Sequence, residues 1–414
     1  MPGIGATAPT GRRAGHAERL ARAHLSRVVE PGDGALATLL AEHGEVGLAS
    51  RLHSGAVPDR WVVRARALTV PTVRLVDAAT RGGIRIVVPG DPDWPAGLAD
   101  LEHEGGAVAC LWVRGRLGPG DASRAIAVVG SRDASPYGEG VASRLAADLV
   151  TAGRTVVSGA ALGIDAAAHR GALSGAGAGD VAVPAGTAEA TATPAAPVPT
   201  VAVLGCGVDR AYPAAHAPLL QRVVAAGGGV LAELPPGSSP YPWRFPARNR
   251  VIAALSCGVV VVEAGVRSGA VGTARAAEAL SRVVMAVPGP AHASRSAGCH
   301  ELLRTGAGLV TSVGDVLELT GPLDPGPGSA PGRDDAAGVP AGPGDGPSGA
   351  AAERVHRCLS RARGRAVDTL AAMTGLDPPD ARAALLDLEI AGLAGRGADG
   401  WRRAAPARPR RPGV

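Results

Sequence analysis

Ala125-Ile126-Ala127-Val128-Val129-Gly130-Ser131-Arg132 is the stretch that decides how this chain folds. Five apolar residues without polar alternation read as a strand buried on both faces, as in a parallel sheet covered by helices. A glycine turn bearing a hydroxyl and a guanidinium follows at once, where such sheets hold their ligands. The same rhythm recurs on either side. Further strands are expected at 84–88, 109–113, 155–157, 201–204, 230–233, 259–262 and 283–287, with helical stretches such as 140–152 and 274–281 between several of them.

Composition marks out the domains. Residues 1–82 read as a small helical domain with a flexible start, its helices near 18–25 and 35–40 punctuated by Gly32 and Gly44. Residues 83–320 form the α/β domain. Within it, 174–199 is rich in Ala, Gly, Pro and Thr, has no arginine and reads as a disordered insertion. Residues 321–350 contain 16 glycines or prolines in 30 positions and read as an extended linker. Helical periodicity returns over 351–405. Three helices and a hairpin at 395–401 read there as a winged helix, before a disordered tail at 406–414.

The chain has no lysine; all 42 basic residues are arginine. A P-loop and Schiff-base or pyridoxal chemistry both need that amine and are excluded. The five cysteines are scattered with no CxxC, which argues against a zinc site or a disulfide framework. Arg12 and Arg13 are not followed by an apolar stretch of signal-peptide length, and no long apolar run occurs, so a reduced, cytoplasmic protein with no membrane contact is expected. The net charge of +5 mildly favours a polyanionic partner.

Three glycine-bearing loops end three of the strands: Gly130-Ser131-Arg132, the loop from Ser158-Gly159 to Gly163, and Ser268-Gly269 through Thr273. Glycines admit a ligand to the backbone, and helix N-termini behind them favour an anion. None is a dinucleotide fingerprint; Gly205-Cys206-Gly207 lacks the third glycine, so NAD or FAD is not expected. Trp243-Arg244-Phe245-Pro246-Ala247-Arg248-Asn249-Arg250 holds the only phenylalanine and the only asparagine of the chain. Guanidinium groups beside rings suit an unpaired polynucleotide. The alternative is a core plug at Phe245 with the arginines paired to Glu233 and Glu263. Pro246 is expected to hold the segment out of helix until Arg248, and Asp165 and His169 are expected to share a structural hydrogen bond.

The order AVVGSR, SPYG (135–138), VVSG, GIDAAAH (163–169), VAVLGCGVDRAYP (201–213), FPARNR and VPG (287–289) resembles the DNA-processing protein A (DprA/Smf) family. The resemblance implies an α/β fold: a Rossmann-like, mostly parallel sheet, with a small N-terminal helical domain of the SAM or helix-hairpin-helix kind and a C-terminal winged helix. It implies a non-catalytic, cofactor-free and metal-free binder of single-stranded DNA. Such a protein loads the RecA recombinase in natural transformation and dimerises through the Rossmann-like domain. Arg132, Ser158, Gly159, Gly163, Phe245, Arg248, Asn249 and Arg250 fall at matching positions. Gly130, Ser131, Arg244, Ser268 and Gly269 complete the candidate DNA-binding set, with Arg170 as a substitute charge. That substitute is needed because Leu162 stands where the family carries an arginine; His216 and His300 stand where asparagines are usual.

Two other functions compete. Gly269-Ala270-Val271-Gly272-Thr273 imitates the loop of nucleotide phosphoribohydrolases, but the catalytic carboxylate is out of register, with Ala276 at its place and Glu278 as the nearest glutamate. A winged-helix transcription regulator is opposed by the second helix of the helix-turn-helix. That helix sets Asp377, Asp380, Asp387 and Glu389 against Arg382 alone and should be repelled by a DNA groove.

Overall fold

The computed structural model describes residues 14–104, 106–117, 124–177, 198–321, 350–360, 364–390, 393–397 and 400–404. Most of the expected insertion at 174–199, nearly all of the expected linker at 321–350 and all of the tail at 406–414 lie outside them. Contacts divide the chain into two units, Met1–Pro322 and Leu323–Val414.

The first unit opens with four helices, α1 (His16–Val28), α2 (Ala35–Ser54), α3 (Asp59–Arg66) and α4 (Thr72–Arg81). Next come β1 (Ile84–Val87), the short α5 (Ala99–His103) and β2 (Leu111–Gly115). Strands and helices then alternate: β3 (Ala125–Val129), α6 (Pro136–Thr151), β4 (Thr155–Ser158), α7 (Ile164–Gly175), β5 (Thr200–Val203), α8 (Ala217–Ala225) and β6 (Gly229–Ala232). The series closes with α9 (Arg244–Ala254), β7 (Gly258–Val261), α10 (Gly269–Ala279), β8 (Val283–Ala286), α11 (Ala297–Arg304), β9 (Gly308–Leu309) and α12 (Val313–Thr320).

The strands form one sheet in the order β1-β2-β6-β5-β4-β3-β7-β8-β9. From β6 to β9 every pairing is parallel, whereas β1–β2 and β2–β6 are antiparallel. The mostly parallel α/β class read from the apolar runs is therefore the observed one. Alternate residues of β3 serve opposite layers. Ala125, Ala127 and Val129 pack with α9 and α10; Ile126 and Val128 pack with α6 and α7. The chain builds outward from β3 to β4, β5 and β6, then returns to set β7 on the other flank of β3. That reversal is the switch point of the sheet, and the loops after β3, β4 and β7 meet there.

The leading helices pack in the same unit. Leu25, Val28, Leu48, Leu52 and Trp61 bury a core that extends to Ala107 and Ala109. The Trp112 indole N–H donates to Ser26 (3.2 Å), and Arg19 grips Asp91 with two bonds (2.6 and 2.8 Å). α9 corrects one expectation. It begins at Arg244, so Pro246 lies inside its first turn rather than ahead of it. A first-turn N–H has no intrahelical acceptor, so proline sacrifices nothing there.

The second unit contains α13 (Ala350–Cys358), α14 (Val367–Thr374), α15 (Pro378–Ile390) and the hairpin of β10 (Ala394–Gly397) and β11 (Gly400–Arg403). Val355, Leu370, Leu385 and Leu388 pack on Trp401 of the hairpin. This is the expected winged-helix order.

Candidate nucleic-acid interface

A cleft of about 630 Å³ opens at the switch point. Of the residues singled out from sequence, Gly130, Ser131, Arg132, Phe245, Arg248, Asn249, Ser268 and Gly269 line it. Their elements are distant in the chain; close contact between loops brings them together. The Ser131 N–H donates to the Glu263 carbonyl (2.7 Å), and the Ile164 N–H donates to the Ser131 carbonyl (3.1 Å). Gly163 sits at φ +71°, and a Cβ there would lie 2.3 Å from the Ser131 carbonyl oxygen. Its glycine therefore seats one loop on another instead of admitting a ligand.

Arg132 and Phe245 form the mouth. The exposed Arg132 guanidinium lies 5.2 Å from the centre of the Phe245 ring, within cation–π range. Phe245 is half-buried, not sealed in the core, and Tyr212 stacks on it at 5.3 Å. Opposite, Ser268 caps α10, its hydroxyl accepting the Ala270 N–H (3.3 Å). A Cβ at Gly269 would meet nothing within 4 Å, and Ser268, Gly269 and Ala270 line the cleft, so the positive end of α10 forms part of its wall. Among the described residues, neither Arg132 nor the exposed Arg267 at the cleft makes an ion pair. The carboxylate beside Arg132 is already matched: Arg295 donates to the Asp133 side chain (2.5 Å) and carbonyl (2.7 Å).

Beneath the mouth the arginines turn inward. Arg248 is only 7% exposed. Its Nη1 donates to the carbonyls of Gly159 (2.7 Å) and Val203, and its Nε donates to the Asn249 carboxamide oxygen (3.2 Å). Burial lowers its affinity for the proton, while nearby Asp165 works against that shift. Asp165 is buried too, and its carboxylate accepts the N–H groups of Gly159 (3.1 Å) and Ala161 (3.3 Å). Burial pushes its carboxyl up, with Arg248 opposing. Asn249 accepts from Arg248 and donates its amide to the Gly269 carbonyl (3.2 Å), tying α9 to the start of α10.

The remaining candidates lie away from the opening. Arg250 clamps both oxygens of Glu233 (2.6 and 2.9 Å) and the Gly106 carbonyl. Burial raises the Glu233 carboxyl against the pull of Arg250. Arg244 holds Glu30 with two bonds (3.0 and 2.7 Å). The alternative pairing to Glu233 and Glu263 thus holds for Glu233 alone; Glu263 instead accepts the Ser135 N–H (2.9 Å) and hydroxyl (2.5 Å). Ser158 is buried, its hydroxyl spent on the Val128 carbonyl (2.7 Å). Arg170 extends from α7 toward Glu139 of α6 (3.7 Å) and does not line the cleft, so it does not replace the charge absent at the exposed Leu162.

The expected Asp165–His169 bond is also replaced. Thr200 donates its hydroxyl to the Val156 carbonyl (2.8 Å), so His169 Nδ1 must donate to Thr200 (2.7 Å). Asp165 is drawn instead to the loop amides ahead of its helix, the usual place for a carboxylate. Burial pushes the His169 imidazole down to about 3, and it stays neutral. Sequence reading missed Arg267, Tyr212, Asp133 and Arg295. Arg267 adjoins a glycine loop and could have been found by position. Tyr212 reaches Phe245 only through folding.

Among the described residues no cluster of histidine, cysteine and acidic side chains could hold a metal ion. No helix among them is long and apolar enough to cross a membrane.

Comparison with known proteins agrees with this geometry. The profile of the family described as DNA recombination-mediator protein A matches residues 85–321, and that of the DprA winged helix domain matches residues 339–400. A chain named for DprA in Mycobacterium tuberculosis is 40% identical over 392 residues, covering 90% of this chain and 91% of its own. Protein Smf of Escherichia coli is 37% identical over 234 residues, 56% of each chain. The crystal structure of DNA processing protein A from Streptococcus pneumoniae superposes with a TM-score of 0.54 at 28% identity, over 74% of this chain and 98% of that one. With the sheet, its switch-point cleft and the winged helix all in place, this chain belongs to the DNA recombination-mediator protein A (DprA/Smf) family of DNA-processing proteins.

Proposed function

We propose that the chain binds single-stranded DNA in the switch-point cleft and acts without catalysis as a recombination mediator. In this reading it protects incoming strands and passes them to a RecA recombinase during DNA-mediated transformation. It works in the cytoplasm as a homodimer joined through the Rossmann-like domain. The observation that carries the binding step is the Arg132 guanidinium poised over the half-exposed Phe245 ring, facing the open N-terminus of α10. A phosphate suits the cation and the helix end, and an unpaired base suits the ring. Family membership supports the mediator role.

Fluorescence anisotropy with oligothymidylate at several salt concentrations tests the reading. Arg132→Ala should weaken binding and reduce the log–log salt slope by about 1, as expected for one lost phosphate contact. An unchanged slope would remove Arg132 from the DNA path. The phosphoribohydrolase alternative has Ala276 where its catalytic carboxylate should stand. Incubation with nucleoside monophosphates should release no free base; release would restore an enzymatic role.

A further inference from the structure

Nine aromatic residues serve this chain: five tryptophans, three tyrosines and one phenylalanine. Trp61, Trp112 and Trp401 are buried, and Trp94 is half-buried against the core. Trp243 differs from them all, being 59% exposed. It lies flat on Tyr241, with ring centres 4.7 Å apart and planes 3° from parallel. The Arg244 guanidinium sits 4.9 Å from the Tyr241 ring centre. Arg244 in turn is fixed by Glu30 and by the Ser239 carbonyl (2.8 Å). Guanidinium, tyrosine and tryptophan thus build a braced stack whose outermost member is an indole open to solvent.

Trp243 also has a telling position. It is the N-cap of α9, two residues before Phe245, whose own stack with Arg132 and Tyr212 stands at the mouth of the cleft. We infer that Trp243 is a second stacking subsite, which takes an unpaired nucleobase of the strand where it runs beyond the cleft. This rests on the single-stranded DNA reading above and extends its footprint. A base fits better than an apolar protein surface. The platform is a single flat plate two residues before Phe245 of the cleft lining, and its immediate neighbours are polar-edged Tyr241 and charged Arg244. Stacking on such a ring needs no particular base and adds affinity without adding charge.

The test uses the intact chain and a twenty-nucleotide oligothymidylate. Trp243→Ala should lower affinity at least about fivefold, the low end for one lost base stack, and leave the salt slope unchanged. Trp243→Phe should restore most of the affinity, and Trp243→Leu should not. Binding should quench part of the wild-type tryptophan emission, and Trp243→Phe should abolish that quench because the other indoles are shielded. If Trp243→Ala binds like the wild type and emission is unquenched, the subsite is overturned while the cleft reading stands through Arg132→Ala. If Trp243→Ala instead dissociates an oligomer with DNA affinity intact, the plate belongs to a second copy of the chain and the inference fails. Absence of any binding by the wild type removes the subsite and the cleft reading together.

Discussion

Asn249 is the only asparagine in a chain otherwise emptied of that residue, and both ends of its amide are occupied. The oxygen accepts from buried Arg248, and the nitrogen donates to the Gly269 carbonyl. Aspartate would keep the first bond and lose the second; glutamine would carry the amide one methylene too far. His169 is governed by burial in a different way. In the unfolded chain its imidazole titrates near the ordinary value of about 6.5. Folding pushes it down to about 3. Between those values the unfolded chain holds a proton that the folded chain does not. Stability from this site is therefore complete above the unfolded value and falls as pH drops toward the folded one, by ~1.4 kcal/mol per pH unit. Asp165, whose folded carboxyl is raised, acts in the opposite sense, so a variant comparison is needed to isolate the histidine. His169→Gln should lose less stability than the wild type between about pH 7 and about pH 5, read from urea midpoints. Equal losses would show that His169 is not the titrating group.

At the scale of elements, α10 presents its first turn to the cleft with nothing packed over Gly269. Stability and binding should therefore separate there. A glutamate in the first turn of a helix is favourable by roughly 0.3–1 kcal/mol, yet it would set a negative charge where a phosphate is expected. Gly269→Glu should melt no lower than the wild type and bind oligothymidylate about tenfold or more weakly, since one opposed charge contact is worth ~1–2 kcal/mol at such a site. Unchanged affinity would take the end of α10 out of the strand's path. α9 works differently. Its Arg244, Arg248 and Arg250 brace Glu30, the 159 loop and Glu233, and these bonds hold Phe245 at the mouth. The arginine-rich motif is thus largely a scaffold, while Arg132 and Arg267 supply the open charge.

At the scale of the molecule, the two units carry separate chemistries. α15 exposes Asp380, Asp387 and Glu389 against Arg382, a poor surface for a phosphate backbone. The hairpin contributes the exposed Arg396, but Arg403 turns back to the His356 carbonyl (2.8 Å). Removing residues 323–414 should leave single-strand affinity within about threefold, a change of under ~1 kcal/mol. Loss of nearly all binding in the anisotropy assay would place the second unit on the DNA.

The strands, their mostly parallel class and the winged-helix order were legible in the chain itself, because burial on both faces imposes unbroken apolar runs and turns impose glycine. Gly130, Ser131, Arg132 and Phe245 were also legible as a group, since motif order carried them. Strand order was not, and neither was the direction in which each arginine points. Arg132, Arg248 and Arg250 are one residue type in similar local settings. Only packing set Glu233 beside one, Asp165 beside another and an open ring beneath the third. Charge at a site follows from which partners the fold brings within a few ångströms, and those partners lie 17 residues away for Glu233 and much farther for Asp165 and Phe245.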